Sequence, residues 1–209
     1  MVKLLGIDKA QGFLSDYNIP LAKSKVVKTK FEAKKEAKNM KYPVVLKINS
    51  KNIIHKTEAG GVIKDINCWV ELENAFGTLS RSFKDEKDFL LQKQIEGIEI
   101  FAGMKRDPSF GPVIAFGLGG IFVEIMKDVV FRIAPINKNE AKEMIKSIKG
   151  YPILKGARGK EGVNVNSLAE ILVNLSKLAM DKKKIKEFDF NPIIINKRSA
   201  KVVDARFLL

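Results

Sequence analysis

Several residue types are nearly missing from this chain, and each gap excludes something. There is one cysteine, Cys68, so no disulfide can form within the chain, and a reducing cytoplasm is the expected setting. There is one histidine, His55, which rules out a multi-histidine metal site. Arginine occurs only at positions 81, 106, 132, 158, 198 and 206, so these 6 leave 38 − 6 = 32 lysines. Nucleic-acid readers lean on arginine for bidentate contacts, and no basic, aromatic-studded segment is present. Nucleic acid is therefore not the expected partner despite a net charge of +14, although a basic nucleic-acid-binding protein is the alternative that charge alone suggests. A solvated lysine-rich surface is the plain reading, and a nucleotide would need only a few of these charges. Long apolar runs are also missing. Stretches such as 44–46 and 193–195 are far shorter than the roughly 20 residues that span a bilayer, so no membrane segment is expected. No apolar stretch precedes a small-residue cleavage site near the N-terminus, so no secretory signal is expected either.

What is present suits a globular protein, with 45% apolar and 30% charged residues in 209. Residues around Leu14, Tyr17 and Ile19 read as one element that Pro20 ends. Residues 31–40 are helix formers, and VVLKI (44–48) reads as a buried strand. A polar loop over 49–61 closes on Gly60–Gly61, and 62–66 alternates as a strand. Residues 69–83 carry apolar groups at helical spacing, and a strand begins at Leu90. The second half reads as short strands over 98–104, 113–116, 122–126 and 129–133. Helices follow over 140–148, capped from Asn137 or Asn139, and after Ser167, which stands at capping-box spacing from Glu170. That last helix lines up Leu168, Ile171, Leu172, Leu175 and Leu178 on one face. The C-terminal segment reads as a hairpin closing on Asp204. The fold class is α+β (α/β), with mostly antiparallel strands late in the chain.

Six segments carry candidate chemistry. Lys47 stands inside an apolar strand, where an ammonium needs a partner such as a phosphate oxygen unless it points to solvent. His55 lies in the loop N-S-K-N-I-I-H-K-T-E-A-G-G. It is either a structural histidine or a phosphate acceptor, since imidazole is nucleophilic near neutral pH. Q-K-Q-I-E-G-I-E (92–99) is either a plain connector or a stretch whose backbone meets a base edge, with Glu99 able to accept from ribose hydroxyls. G-L-G-G (117–120) allows close backbone approach to a ligand, and Glu124 after it is a buried-carboxylate candidate. K-G-A-R-G-K-E-G (155–162) places Arg158 on glycines, which suits a phosphoryl clamp or an ordinary flexible loop. D-F-N-P (189–192) and Asp204 offer an amide oxygen and a carboxylate on adjacent strands, the hard oxygen ligands that Mg²⁺ prefers.

Taken in order, Y-P-V-V-L-K, I-I-H-K-T-E-A-G-G-V, R-D-P-S-F-G-P-V with G-L-G-G-I-F-V-E, G-A-R-G and D-F-N-P resemble the ATP-grasp subunit of ADP-forming acyl-CoA synthetases. This group lies in the superfamily of succinyl-CoA synthetases. The resemblance runs from about residue 10 to the C-terminus, and its specificity lies in the combination of motifs. It implies an ATP-grasp fold of two α+β lobes gripping nucleotide, one near 18–92 and the other from 1–17 plus 93–209. It implies that Lys47 contacts nucleotide phosphates, that Gln92, Lys93 and Ile95 surround adenine, and that Glu99 holds the ribose. Asn191 and Asp204 are implied as Mg²⁺ ligands, Asp189 as the carboxylate that steadies a phosphohistidine, and His55 as that phosphohistidine on a swinging segment. Arg158 matches the glycine-arginine loop. Gln92 replaces an acid common at the hinge of other ATP-grasp enzymes, which leaves ATP against GTP open. The implied cofactors are ATP/ADP and Mg²⁺. The implied partner is a CoA-binding α subunit, in an α2β2 assembly, because this chain has no G-x-G-x-x-G unit of its own. The alternative enzyme is a stand-alone ATP-grasp carboxylate ligase. Phe110 and Phe122 are expected in the core, with the partner interface as the second possibility.

Overall fold

The structure, a computed structural model, describes residues 4, 5, 7–50, 53, 56–120, 128–156 and 161–209. The chain divides into two compact units, Ala22–Ile95 and Met1–Leu21 with Glu96–Leu209. The expected boundaries, 18 and 92, fall short of these for a local reason. The carbonyl of Pro20 accepts from the Val202 N–H and Leu21 bridges Val202, which ties residues 20–21 to the larger unit. At the other crossing, ladder pairing continues through Lys93, and the Gln94 N–H donates to the Pro43 carbonyl.

The smaller unit is a four-stranded antiparallel sheet in the order β2-β5-β3-β4, formed by β2 (Ser24–Val27), β3 (Val44–Ile48), β4 (Val62–Ile66) and β5 (Phe89–Lys93). Two helices cover one face. Thr29 caps α2 (Lys30–Met40) by accepting from the Glu32 N–H, and α2 buries Ala33, Ala37 and Met40. The spacing expected for 69–83 is realised as α3 (Trp69–Ser82), which buries Leu72, Ala75, Phe76 and Leu79. These pack on Val44, Leu46, Ile48, Phe89 and Leu91 from alternate strand positions, with the Phe76 and Phe89 rings 4.8 Å apart.

The larger unit is a seven-stranded sheet in the order β1-β11-β9-β6-β7-β8, with β10 paired to β9. Its strands are β1 (Leu4–Leu5), β6 (Ile98–Asp107), β7 (Gly111–Leu118), β8 (Val129–Ile133), β9 (Glu187–Ile195), β10 (Ala200–Val202) and β11 (Arg206–Leu208). All its ladders are antiparallel. The short strands β1 and β11 were not foreseen, because two or three residues carry too little alternation to read. Among the described residues its helices are α1 (Ile7–Asp16), α4 (Lys138–Ser147), α5 (Tyr151–Lys155) and α6 (Val165–Asp181). Asn137 and Glu140 form a capping box on α4. The cap of α6 differs from expectation. Asn164 is the N-cap and accepts from the Ser167 N–H, Ser167 Oγ instead accepts from the Ala200 N–H, and Glu170 pairs with Lys138. Leu168, Ile171, Leu172, Leu175 and Leu178 are all buried, as their spacing requires.

The sheet of this unit has one apolar face. Phe188, Phe190 and Phe207 cluster there with ring centroids 5.1–5.7 Å apart, beside Met104, Ile114 and Phe116. Phe13 of α1 meets Phe207 at 5.9 Å, and Arg106 reaches the end of α6, so both helices lie on this face. Phe110 does not join the core. It is 63% exposed at the tip between β6 and β7, where the chain turns too tightly to fold its side chain back. Residues 122–126, with Phe122 and Glu124, lie outside the described residues. Among the described residues no helix is long and apolar enough to cross a membrane.

Candidate functional site

In the smaller unit, register decides which side chains can act together. Val45 pairs with Gln92 and Lys47 with Leu90, whereas Val44, which is in the core, pairs with Lys93. Alternation therefore puts Lys47 and Gln92 on the face opposite the helices, as diagonal neighbours on adjacent strands. Both are buried, at 7% and 0% exposure. Lys93 points the other way. Its ammonium donates to the carbonyls of Lys41 and Tyr42, both at 2.9 Å, at the C-terminal end of α2. The Lys93 side chain is thus engaged within the smaller unit, on the face opposite Lys47 and Gln92. Burial, and the nearby Cys68 thiol to a smaller degree, push the Tyr42 phenol above its ordinary pKa. Ile95 is half-buried in the connector.

His55 lies outside the described residues, but the base of its loop is clear. The Gly61 carbonyl accepts from the Ile48 N–H at 2.9 Å, and the Gly61 N–H donates to the Lys56 carbonyl at 2.7 Å. A Cβ on Gly61 would stand 2.6 Å from Ile48 Cδ1. Gly61 of the A-G-G signature is therefore held tightly against the end of the strand that contains Lys47.

In the larger unit, β9 alternates. Phe188 and Phe190 are buried on the face that α1 and α6 cover, so Asp189 and Asn191 stand on the opposite face of β9. The Pro192 carbonyl accepts from the N–H groups of Val203 and Asp204 at 3.0 and 3.4 Å, which brings the Asp204 turn beside the D-F-N-P segment. Asp204 Oδ1 accepts from the Ala205 N–H at 3.0 Å, and Oδ2 lies 3.8 Å from the Arg206 guanidinium. Arg206 is also the direct cross-strand partner of Asp189. Sequence reasoning missed this arginine, because β11 is too short for its alternation to be read. Among the described residues no three His, Cys, Asp or Glu side chains cluster as a metal site. Asn191 and Asp204 still fit Mg²⁺, which takes few protein oxygens and fills its octahedron with water and phosphate.

The glycine segment has a structural explanation. A Cβ on Gly117 would stand 2.6 Å from the Asp128 carbonyl oxygen, and one on Gly119 would stand 2.9 Å from the Glu99 carbonyl carbon. The Gly119 N–H donates to the Glu99 carbonyl at 2.7 Å, and Gly120 has φ +62 with Glu99 Oε2 3.1 Å from its would-be Cβ. Within the chain these close approaches are made by Asp128 to Gly117 and by Glu99 to Gly119 and Gly120. R-D-P-S-F-G-P is likewise structural. Arg106 donates to the carbonyls of Ala179, Lys182 and Ile185 beyond and within the last turn of α6. Asp107 accepts from the Ser109 and Phe110 N–H groups and shapes the β6–β7 turn. Arg158 lies outside the described residues.

Comparison with known proteins identifies the family. Residues 2–209 match the ATP-grasp domain family. The chain is 47% identical to the β subunit of acetate–CoA ligase [ADP-forming] I of Pyrococcus furiosus, over 96% of this chain and 90% of that one. It is 40% identical to the 4-hydroxybutyrate–CoA ligase [ADP-forming] of Nitrosopumilus maritimus, covering 95% of this chain but only 30% of that longer protein. The acetyl-coenzyme A synthetase 1 of Ca. Korarchaeum cryptofilum, solved with coenzyme A and Ca-AMPCP, superposes with a TM-score of 0.92 at 35% identity, over 99% of this chain and 93% of that one. With Mg-AMPPCP and its phosphohistidine segment pointing towards the nucleotide-binding site, the same synthetase gives a TM-score of 0.85 at 35% identity, over 97% and 91% of the two chains. The chain belongs to the ATP-grasp family, in the group that holds the β subunits of ADP-forming acetate–CoA ligases.

Proposed function

We propose that this chain is the nucleotide-binding subunit of an ADP-forming acyl-CoA synthetase, and that His55 carries phosphate to ADP. The observation that supports this most is the distribution of candidates in each unit. Lys47 and Gln92 share the face opposite the helices in one unit, and in the other Asp189 and Asn191 stand on the face of β9 opposite α1 and α6, with the Asp204 turn beside them and Glu99 beside its glycine segment. The overall reaction is acyl-CoA + ADP + phosphate ⇌ carboxylic acid + CoA + ATP. A CoA-binding α subunit, in an α2β2 assembly in the cytoplasm, would form the acyl phosphate and then a phosphohistidine of its own. His55 would take the phosphoryl group as the partner's P–N bond breaks and a new P–N bond forms. That second bond would break as a β-phosphate oxygen of ADP forms the P–O bond of ATP.

Lys47 would neutralise phosphate oxygens, and Glu99 would accept from ribose hydroxyls. Gln92 and the backbone at Lys93 and Ile95 would face the base. Asp189 would hold the imidazolium character of His55, and Arg158 would clamp phosphoryl oxygens. Asn191 and Asp204 would hold Mg²⁺, which supplies charge neutralisation during phosphoryl transfer. The test is reconstitution with the cognate α subunit and acetyl-CoA, ADP and phosphate. ATP should form, and Asp204→Asn should remove that activity while the fold survives. Acyl–amine ligation by this chain alone, without a partner, would replace the relay with the stand-alone ligase.

A further inference from the structure

The connector after β5 is held by its own side chains in a way that the nucleotide reading does not require. Lys93 projects to the helix-covered face and places its ammonium on the Lys41 and Tyr42 carbonyls, both at 2.9 Å. Lys41 is the C-cap of α2, where the helix dipole favours a cation. Gln94 uses both ends of its amide on one residue. Its Nε2 donates to Asp65 Oδ1 at 2.6 Å, and its Oε1 accepts from the Asp65 N–H at 2.8 Å. Asp65 is itself unusual, with φ 58, and its carbonyl accepts from Asn67 Nδ2 at 2.6 Å. The backbone is fastened as well, since the Lys93 N–H donates to the Lys23 carbonyl and the Gln94 N–H to the Pro43 carbonyl. Beyond Ile95 the larger unit takes hold. The Glu96 carbonyl accepts from Asn196 Nδ2 at 2.9 Å, and a Cβ on Gly97 would stand 2.3 Å from the Ile195 carbonyl oxygen.

We propose that Lys93 and Gln94 are positioning residues, whose side chains clamp the connector so that its backbone is ready for the purine of a nucleoside diphosphate. This rests on the nucleotide reading above. Neither side chain touches the nucleotide. Lys93 cannot serve phosphates beside Lys47 without leaving both carbonyls and crossing to the other face of the sheet. Six hydrogen bonds over two residues hold the connector's conformation before any ligand arrives, so binding need not order it.

The test compares MgADP with magnesium pyrophosphate by calorimetry on the full chain. Pyrophosphate needs the phosphate contacts but no base contact. In Lys93→Met and Gln94→Ala, MgADP should bind about tenfold more weakly, the cost of re-ordering roughly one backbone residue. Pyrophosphate affinity should stay within about twofold of wild type. Lys93→Arg, which can still donate to both carbonyls, should restore most of the ADP affinity. Gln94→Ala carries the comparison if Lys93→Met does not fold. Equal weakening of both ligands, or no change for either, overturns the clamp. A folded wild-type chain that binds pyrophosphate but shows no preference for ADP removes the nucleotide reading itself, and the clamp with it.

Discussion

Gly119→Ala is the substitution that ties fold to site most directly. Gly119 is buried, and its N–H donates to the Glu99 carbonyl at 2.7 Å. An added Cβ would meet the Glu99 carbonyl carbon at 2.9 Å, the Ile100 nitrogen at 3.0 Å and Glu99 Cβ at 3.1 Å. Two of these are main-chain atoms at the start of β6, which is paired on both sides, so they cannot yield as a side-chain tip would. Overpacking of this kind costs about 1–3 kcal/mol, and the stiffer unfolded chain returns about 0.4–1 kcal/mol. A net loss of about 1–2 kcal/mol in urea unfolding follows. The shift is aimed at Glu99, so a charge-assisted hydrogen bond to ribose, about 1.5–3 kcal/mol, should weaken with it. MgADP affinity should fall by about tenfold or more. Gly77→Ala is the control. A Cβ there meets nothing within 4 Å in the interior of α3, so it should stabilise by about 0.5–1 kcal/mol and leave ADP binding alone. If Gly119→Ala matches wild type in stability, the close approach is not rigid. If it loses stability while keeping wild-type ADP affinity, Glu99 does not hold the ribose.

Arg106→Ala should cost about 2–4 kcal/mol in urea unfolding, because it strips a charged donor from three carbonyls within and beyond the last turn of α6. Arg106→Lys should recover part of that loss, and a change under about 0.5 kcal/mol for the alanine variant would refute the capping role. Asp107 tests the turn by pH. The Phe110 N–H, and then the Ser109 N–H, hold its carboxyl below the ordinary carboxylate range. Its contribution is therefore full above the unfolded value and fades as pH falls through the lower folded value. Carboxyl titration by NMR should find Asp107 depressed, and Asp107→Asn should shed that part of the acid sensitivity; an ordinary titration would contradict the turn geometry.

The legibility of this chain was uneven, and for physical reasons. Strong periodicity over many residues marked α3 and α6, and the apolar run of β3 marked a strand buried on both faces. The ordered motifs carry the family resemblance without any geometry. What the sequence hid was orientation. Lys93 is one residue from Gln92, and only strand register shows that it turns to the helix side while Gln92 turns away. Arg206 was hidden because β11 is three residues long, too short for a pattern to show. The Ser167–Glu170 spacing misled because Asn164, three residues earlier, supplies a cap and frees Ser167 for Ala200. The motifs also mixed roles. Asp189 and Asn191 alternate away from the core phenylalanines of β9, whereas R-D-P-S-F-G-P and G-L-G-G hold helix, turn and strand together.

The relay itself is tested most directly by following phosphate. This chain, its cognate α subunit, acetyl-CoA and radiolabelled phosphate are mixed without ADP, and the acid-labile label is mapped by peptide. The account predicts label on His55 that passes to ATP when MgADP is added. Label confined to the α subunit, with ATP still formed on addition of MgADP, would contradict it.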